Sequence, residues 1–212
     1  MMMSIDKIIC VGKNYLDHAR ELGDAVPEKP VIFLKPASVL KETSQWNTCI
    51  NATLPSHQGE AHYECEIVLR VCQSGYCMTK ELAEKAFDAV TIGLDMTLRD
   101  VQTTLKKKGH PWTIGKVFPD AAVIGPWISI DDFPDFMTTP FSLTLDGKLR
   151  QHDCANSMTM KPVDLIMYIS QFFPLCEGDL IFTGTPAGVG PVHAGSKATL
   201  EWRKYQFSVE WR

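Results

Sequence analysis

Long apolar runs are missing from this chain of 212 residues. No stretch approaches the roughly 18 apolar residues that would cross a bilayer as a helix, and Met1-Met2-Met3-Ser4-Ile5-Asp6-Lys7 has no apolar core of the kind a secretory leader needs. A strong charge of either sign is also missing. The 21 basic and 25 acidic residues leave a formal net charge of −4, which gives no electrostatic reason to expect nucleic acid or membrane as a partner. The basic run Lys106-Lys107-Lys108 falls at the end of an expected helix, where cations favour the dipole and water. Cysteine is present without a pairing pattern. Cys10, Cys49, Cys65, Cys72, Cys77, Cys154 and Cys176 are odd in number and contain no Cys-x-x-Cys, so they read as reduced thiols in a soluble, cytoplasmic protein. No internal repeat or low-complexity linker divides the chain.

What is present is an ordinary apolar fraction of 45%, enough for a sizeable core in one domain spanning residues 1–212. Apolar segments are short. Lys7 to Val11, Val31 to Pro36, Cys49 to Leu54, Val90 to Leu94, Ala121 to Ile130, Phe141 to Gln151 (with a hairpin turn at Asp146-Gly147), Leu180 to Phe182, Ala198 to Trp202 and Phe207 to Trp211 read as strands. Helical spacing is expected over Asn14 to Leu22, Thr79 to Asp88, from Met96 onward, and over Met160 to Phe173. Many short strands with few helices predict a β-rich α+β domain, with two packed sheets as one arrangement.

The most informative run is His62-Tyr63-Glu64-Cys65-Glu66-Ile67-Val68-Leu69. Side chains in a strand alternate, so Glu64 and Glu66 project from one face, roughly 7 Å apart, close enough to share one hard cation. An antiparallel strand with one wet face would carry the same pattern. A third carboxylate, Asp95, ends the apolar run Val90-Thr91-Ile92-Gly93-Leu94, at the rim of a rigid element where active-site groups are commonly held. It would equally serve as the N-cap of the following helix. Three carboxylates without matching Cys or His favour Mg2+ or Mn2+ over zinc.

Other candidates surround this trio in sequence. Arg99 and Gln102, at i and i+3, share a helix side and suit a substrate carboxylate, or form a pair on a surface helix. Lys116, in a loop with Trp112, Gly115 and Phe118, would steady an enolate or carboxylate near a metal, or stand as a plain loop lysine. Thr183 to Gly190 lacks the Gly-Lys-Ser/Thr ending of a phosphate loop, yet its glycines and Thr185 would make an anion-facing nest, or a tight turn. His18 and Glu21, at i and i+3, would meet as a proton-handling pair on a segment bracketed by Gly12 and Gly23, which could act as a lid over about residues 12–23. Exposed polar residues are the plain alternative.

Taken together, these strings resemble the fumarylacetoacetate hydrolase family, especially its small acylpyruvase and oxaloacetate-handling members. The likeness runs through Val11-Gly12-Lys13-Asn14-Tyr15 with Asp17-His18, Phe33-Leu34-Lys35-Pro36, and His62-Tyr63-Glu64-Cys65-Glu66. It continues through Leu94-Asp95-Met96-Thr97-Leu98-Arg99-Asp100-Val101-Gln102, Pro111-Trp112, Gly178-Asp179, and Thr183 to Pro191. The resemblance implies a roll of mixed β-sheets, usually a homodimer. It also implies Mg2+ or Mn2+ on Glu64, Glu66 and Asp95, a lid dyad of His18 and Glu21 working with Lys116, and substrate contacts from Arg99, Gln102, Lys116 and Thr185. Two departures stand out. Gly115-Lys116-Val117-Phe118-Pro119 replaces the family's Ala-Lys-x-Phe-Asp, and residues 41–60 match nothing.

A 2-oxo acid chelating a metal can develop a stabilised enolate when a bond to C3 breaks. Acylpyruvate hydrolysis comes first among the implied reactions, with oxaloacetate tautomerisation or decarboxylation next and isomerisation of a hydroxyhepta-dienedioate as a third. A silent 2-oxo acid binding protein is the non-enzymatic reading.

Overall fold

The computed structural model describes residues 5–16, 29–55 and 58–212. Its hub is the Cys65–Val71 strand, which pairs antiparallel with Phe87–Asp95 on one side and with Leu180–Phe182 on the other. Around it an eight-stranded mixed sheet runs in the order Val31–Pro36, Lys7–Gly12, Leu180–Phe182, Cys65–Val71, Phe87–Asp95, Ala122–Ile124, Leu40–Glu42. Ile128–Ser129 adds a further pairing to Phe87–Asp95. The Lys7–Gly12/Leu180–Phe182 and Leu40–Glu42/Ala122–Ile124 pairs are parallel. A five-stranded sheet follows the order Lys148–Asp153, Phe141–Leu145, Lys197–Trp202, Tyr205–Trp211, Cys49–Ala52. A small third sheet joins Gly190–Pro191, Ala61–Tyr63 and Thr97–Leu98. The β-rich α+β expectation is met.

The three central strands of the five-stranded sheet alternate. Phe141, Leu143 and Leu145 are buried while Ser142 and Thr144 are not, and Phe207, Val209 and Trp211 repeat the pattern. Asp146 and Gly147 turn its hairpin with φ of 50° and 76°, the pair of positive values a two-residue turn needs to match strand twist. Its inner face meets the larger sheet in one continuous core, where the Trp202 ring packs 4.8 Å from Phe133 and its indole donates to the Thr139 carbonyl at 3.0 Å.

Several boundaries differ from the sequence expectation for local reasons. The helix expected over Thr79 to Asp88 is one turn, Lys80–Ala83, because Phe87 is already paired with Val71. The strand expected over Ala121 to Ile130 is split, since Pro126 has no N–H to give a ladder. The helix expected from Met96 begins at Arg99, because Thr97 and Leu98 first pair with His62 and Ala61. The helix near Met160 runs over Pro162–Ser170, with proline in its first turn. The helix expected over Asn14 to Leu22 lies mostly outside the described residues; the Asn14 side chain accepts from the Met160 N–H and donates to the Met160 and Thr183 carbonyls. All seven cysteines are free thiols. Among the described residues no helix is long and apolar enough to cross a membrane.

Candidate active site

Both faces of the Cys65–Val71 strand are buried at its start, and so are both faces of Phe87–Asp95. The wet face that would explain the glutamates as solvated groups does not exist. Glu64 sits between Ala61–Tyr63 of the third sheet and Cys65–Val71 of the eight-stranded one, so Glu64 and Glu66 reach one pocket from where the chain passes between sheets. Pairing of Cys65 with Leu94 and Glu66 with Gly93 sets Asp95 opposite Glu64, whose carbonyl accepts the Asp95 N–H at 2.9 Å. Leu98 is the residue that precedes the Arg99 helix, so Asp95 is not its cap. The three carboxylates are 6%, 2% and 2% exposed, and one oxygen from each lies within 4.8 Å of the others.

Buried carboxylates need compensation. Lys116 closes the one-turn helix Thr113–Lys116 and donates to Glu64 Oε2 at 2.9 Å, Asp95 Oδ2 at 2.8 Å and Thr97 Oγ1 at 2.6 Å. Its ammonium lies 4.6 Å from the centre of the Phe33 ring. Burial pulls the Lys116 ammonium down, but the Asp95 and Glu64 charges outweigh it and hold its pKa above the ordinary lysine range. Arg99 forks: one terminal nitrogen bonds Glu64 Oε1 and the other donates to Gln102 Oε1 at 2.8 Å. Glu66 makes no ion pair among the described residues and accepts the Gly184 N–H at 2.7 Å. Burial, with the charges of Asp95 and Glu64 behind it, pushes the Glu66 carboxyl well above the usual carboxylate range. The expected anion nest after Phe182 therefore serves the protein's own carboxylate. Thr185 lines the pocket, and its hydroxyl proton is given to the Cys65 carbonyl at 2.8 Å.

The trio fits a divalent cation. Two metal–oxygen bonds of the Mg2+ to Ca2+ range span roughly 4–5 Å, in line with the ligand separation here. Asp95 Oδ1 is buried and accepts no hydrogen bond, although the Lys35 ammonium lies 2.5 Å away. An all-oxygen donor set suits a hard ion.

His18 and Glu21 lie outside the described residues, as do residues 17–23 of the expected lid. Glu64, Glu66, Asp95, Arg99, Gln102, Lys116 and Thr185 all line one pocket. Sequence reasoning passed over Lys35, which is buried and donates to the carbonyls of Met96 at 2.9 Å and Ala121 at 2.6 Å. A lysine closing the apolar run Val31-Ile32-Phe33-Leu34 was the available signal. The departure at Gly115 also has a physical counterpart. A Cβ there would lie 3.2 Å from the Gln102 nitrogen, so glycine lets the Lys116 turn sit close on the Arg99 helix.

Residues 7–206 match the family model described as fumarylacetoacetate (FAA) hydrolase C-terminal. The chain is 39% identical to the oxaloacetate tautomerase YcgM of Escherichia coli, with 92% of this chain and 88% of that one covered. It is also 39% identical to the mitochondrial oxaloacetate tautomerase FAHD1 of Arabidopsis thaliana, over 97% of this chain and 92% of that one. Among solved structures, the fumarylpyruvate hydrolase of Pseudomonas aeruginosa in complex with Mn2+ and pyruvate superposes with a TM-score of 0.91 at 35% identity, covering 98% of this chain and 89% of that one. A pair of carboxylates where the chain passes between sheets, a third acid paired across from them, and this agreement along nearly the whole sequence lead to one conclusion: the chain belongs to the fumarylacetoacetate hydrolase family.

Proposed function

We propose that this protein is a divalent-metal enzyme acting on a 2-oxo acid, and that its reaction is keto–enol interconversion of oxaloacetate. The observation carrying this reading is the convergence of three buried carboxylates with Lys116 and Arg99 in one pocket. Charge supports it. Glu64 and Asp95 are faced at contact distance by Lys35, Lys116 and Arg99, while Glu66 makes no ion pair among the described residues; against these three cations and three carboxylates, a dication would leave a surplus of two positive charges. Oxaloacetate brings two carboxylates, which match that surplus, and further negative charge grows on its keto oxygen as C3 loses a proton.

Glu64, Glu66 and Asp95 would hold Mg2+, or Mn2+ as in the Pseudomonas relative. A cation held there supplies Lewis-acid polarisation of the keto oxygen. The Arg99 charge and the Gln102 amide nitrogen orient the substrate carboxylate, Lys116 adds positive charge where oxygen charge develops, and the Thr185 backbone borders the bound acid. His18 with Glu21 is assigned the proton at C3. Acylpyruvate hydrolysis is the second reading, favoured by the Pseudomonas likeness; there the same pair would activate water and an acyl group would leave C3. The seven free cysteines support a reducing, cytoplasmic setting, and a homodimer is part of the same reading.

Chelator-treated protein is expected to lose enol-oxaloacetate turnover, followed by loss of enol absorbance, and to regain it with Mg2+ or Mn2+. Full turnover after chelation would overturn the assignment. Cleavage of fumarylpyruvate without any effect on oxaloacetate would move it to the second reading.

A further inference from the structure

Cys65 is the link between the two glutamates, and its peptide groups are held from outside its own sheet. Gln151 belongs to the Lys148–Asp153 strand at the edge of the five-stranded sheet, and is only 1% exposed. Its Oε1 accepts the Cys65 N–H at 3.0 Å, and its Nε2 donates to Thr185 Oγ1 at 2.8 Å and to the Pro186 carbonyl at 2.9 Å. Thr185 closes the ring by donating its hydroxyl proton to the Cys65 carbonyl at 2.8 Å. The N–H and the C=O of Cys65, which belong to the two peptide bonds joining it to Glu64 and Glu66, are thus both captured.

The same edge presses on the loop after Phe182. Gly188 has a φ of 99°, and a Cβ there would lie 2.0 Å from the Arg150 carbonyl, so the loop lies directly on the strand that carries Gln151. Tyr63, just before Glu64, donates its hydroxyl to the Gly188 carbonyl at 2.9 Å. An amide suits this place because it offers an acceptor on one end and two donors on the other. A glutamate would set a second oxygen against Thr185 and Pro186, and a methionine would leave buried polar groups without partners.

We infer that Gln151 is a positioning residue for the metal and substrate site, acting through Cys65 and Thr185, which it holds in register with one another. The inference rests on the metal-enzyme reading above. Partners that orient a ligand-bearing segment typically account for 10–100-fold in metal affinity.

The test is a calorimetric titration of Mn2+ into wild-type protein and Gln151→Met, with the melting temperature of each measured in chelator. The Mn2+ Kd is expected to rise at least ~10-fold in the variant, with kcat/KM for oxaloacetate falling alongside. His152→Ala, at the exposed neighbour on the same strand, should retain wild-type affinity. A folded Gln151→Met variant with a Kd within about twofold of wild type would mean the ring only braces the sheets, and would overturn the inference. If Gln151→Met does not fold, Gln151→Glu is titrated instead; failure of both to fold would make the residue architectural and equally sink the proposal. Wild-type protein that does not bind Mn2+ would overturn the metal-enzyme reading itself, a distinct result.

Discussion

The two large sheets of this protein put the same kind of strand to opposite uses. In the five-stranded sheet the inward residues are Phe141, Leu143, Leu200, Trp202, Phe207 and Trp211, and polar residues alternate outward. In the eight-stranded sheet, Cys65–Val71 and Phe87–Asp95 are covered on both faces, and the second covered face carries Glu66 and Asp95. One sheet buries apolar surface, which favours folding. The other buries charge, which opposes folding unless ammonium, guanidinium, N–H groups and a cation offset it. The comparison teaches that apolar packing and charge are carried by different faces, joined at Gln151, and that substitutions in the apolar face and at the acids should fail in different ways.

Trp202→Ala should show the largest effect on the apolar side. Removing a fully buried indole packed on Phe133 and Phe136 is expected to cost about 3–5 kcal/mol, seen as a lower urea midpoint, while the folded fraction keeps its turnover per molecule. Equal loss of specific activity would show that this apolar face and the site are not independent. On the charged side, Glu66→Gln should reduce kcat by roughly 10²–10³. It should leave the melting temperature of the metal-free protein unchanged or raised, because it removes the carboxylate whose burial and like-charged neighbours are least compensated. A large drop in that temperature would contradict the comparison.

The smallest effect is a slope with pH. The folded, cation-free protein holds the Glu66 proton more tightly than the unfolded chain does, since burial and the Asp95 and Glu64 charges raise its pKa. The stability it contributes is full below the unfolded carboxylate pKa of about 4.3 and is lost as pH climbs toward the raised folded value. Lys116, raised above the ordinary lysine value, keeps its contribution throughout that window and loses it only above pH ~10.4. The melting temperature in chelator should therefore fall from pH 5 to 8, and saturating Mn2+ or Glu66→Gln should remove that fall. A rise in chelator would break the argument.

Much of this was legible from particular residues. Alternation placed the strands around Phe141 and Phe207, Asp146-Gly147 marked its turn, and three acids without soft ligands pointed to a hard cation. What escaped has a common cause. The change of sheet at Glu64, the short pairing of Thr97 with His62 and the early start of the Phe87 strand depend on hydrogen-bond partners far away in sequence. Local propensity carries no signal for them. Lys35 and Gln151 escaped for the same reason: each looks like a polar residue on an ordinary strand until its remote partners are known.

The sequence by itself determined which side chains are available: three carboxylates, an arginine and amide at helical spacing, a lysine in a tight glycine turn, and an order of motifs that names the family. Only the tertiary structure decided that both faces of the carboxylate strand are dry, and that Lys116, Lys35 and Arg99 close on those acids. The reason is that burial and charge compensation are properties of surroundings assembled from distant segments. A short run of residues can specify its own alternation, but it cannot specify what will cover it.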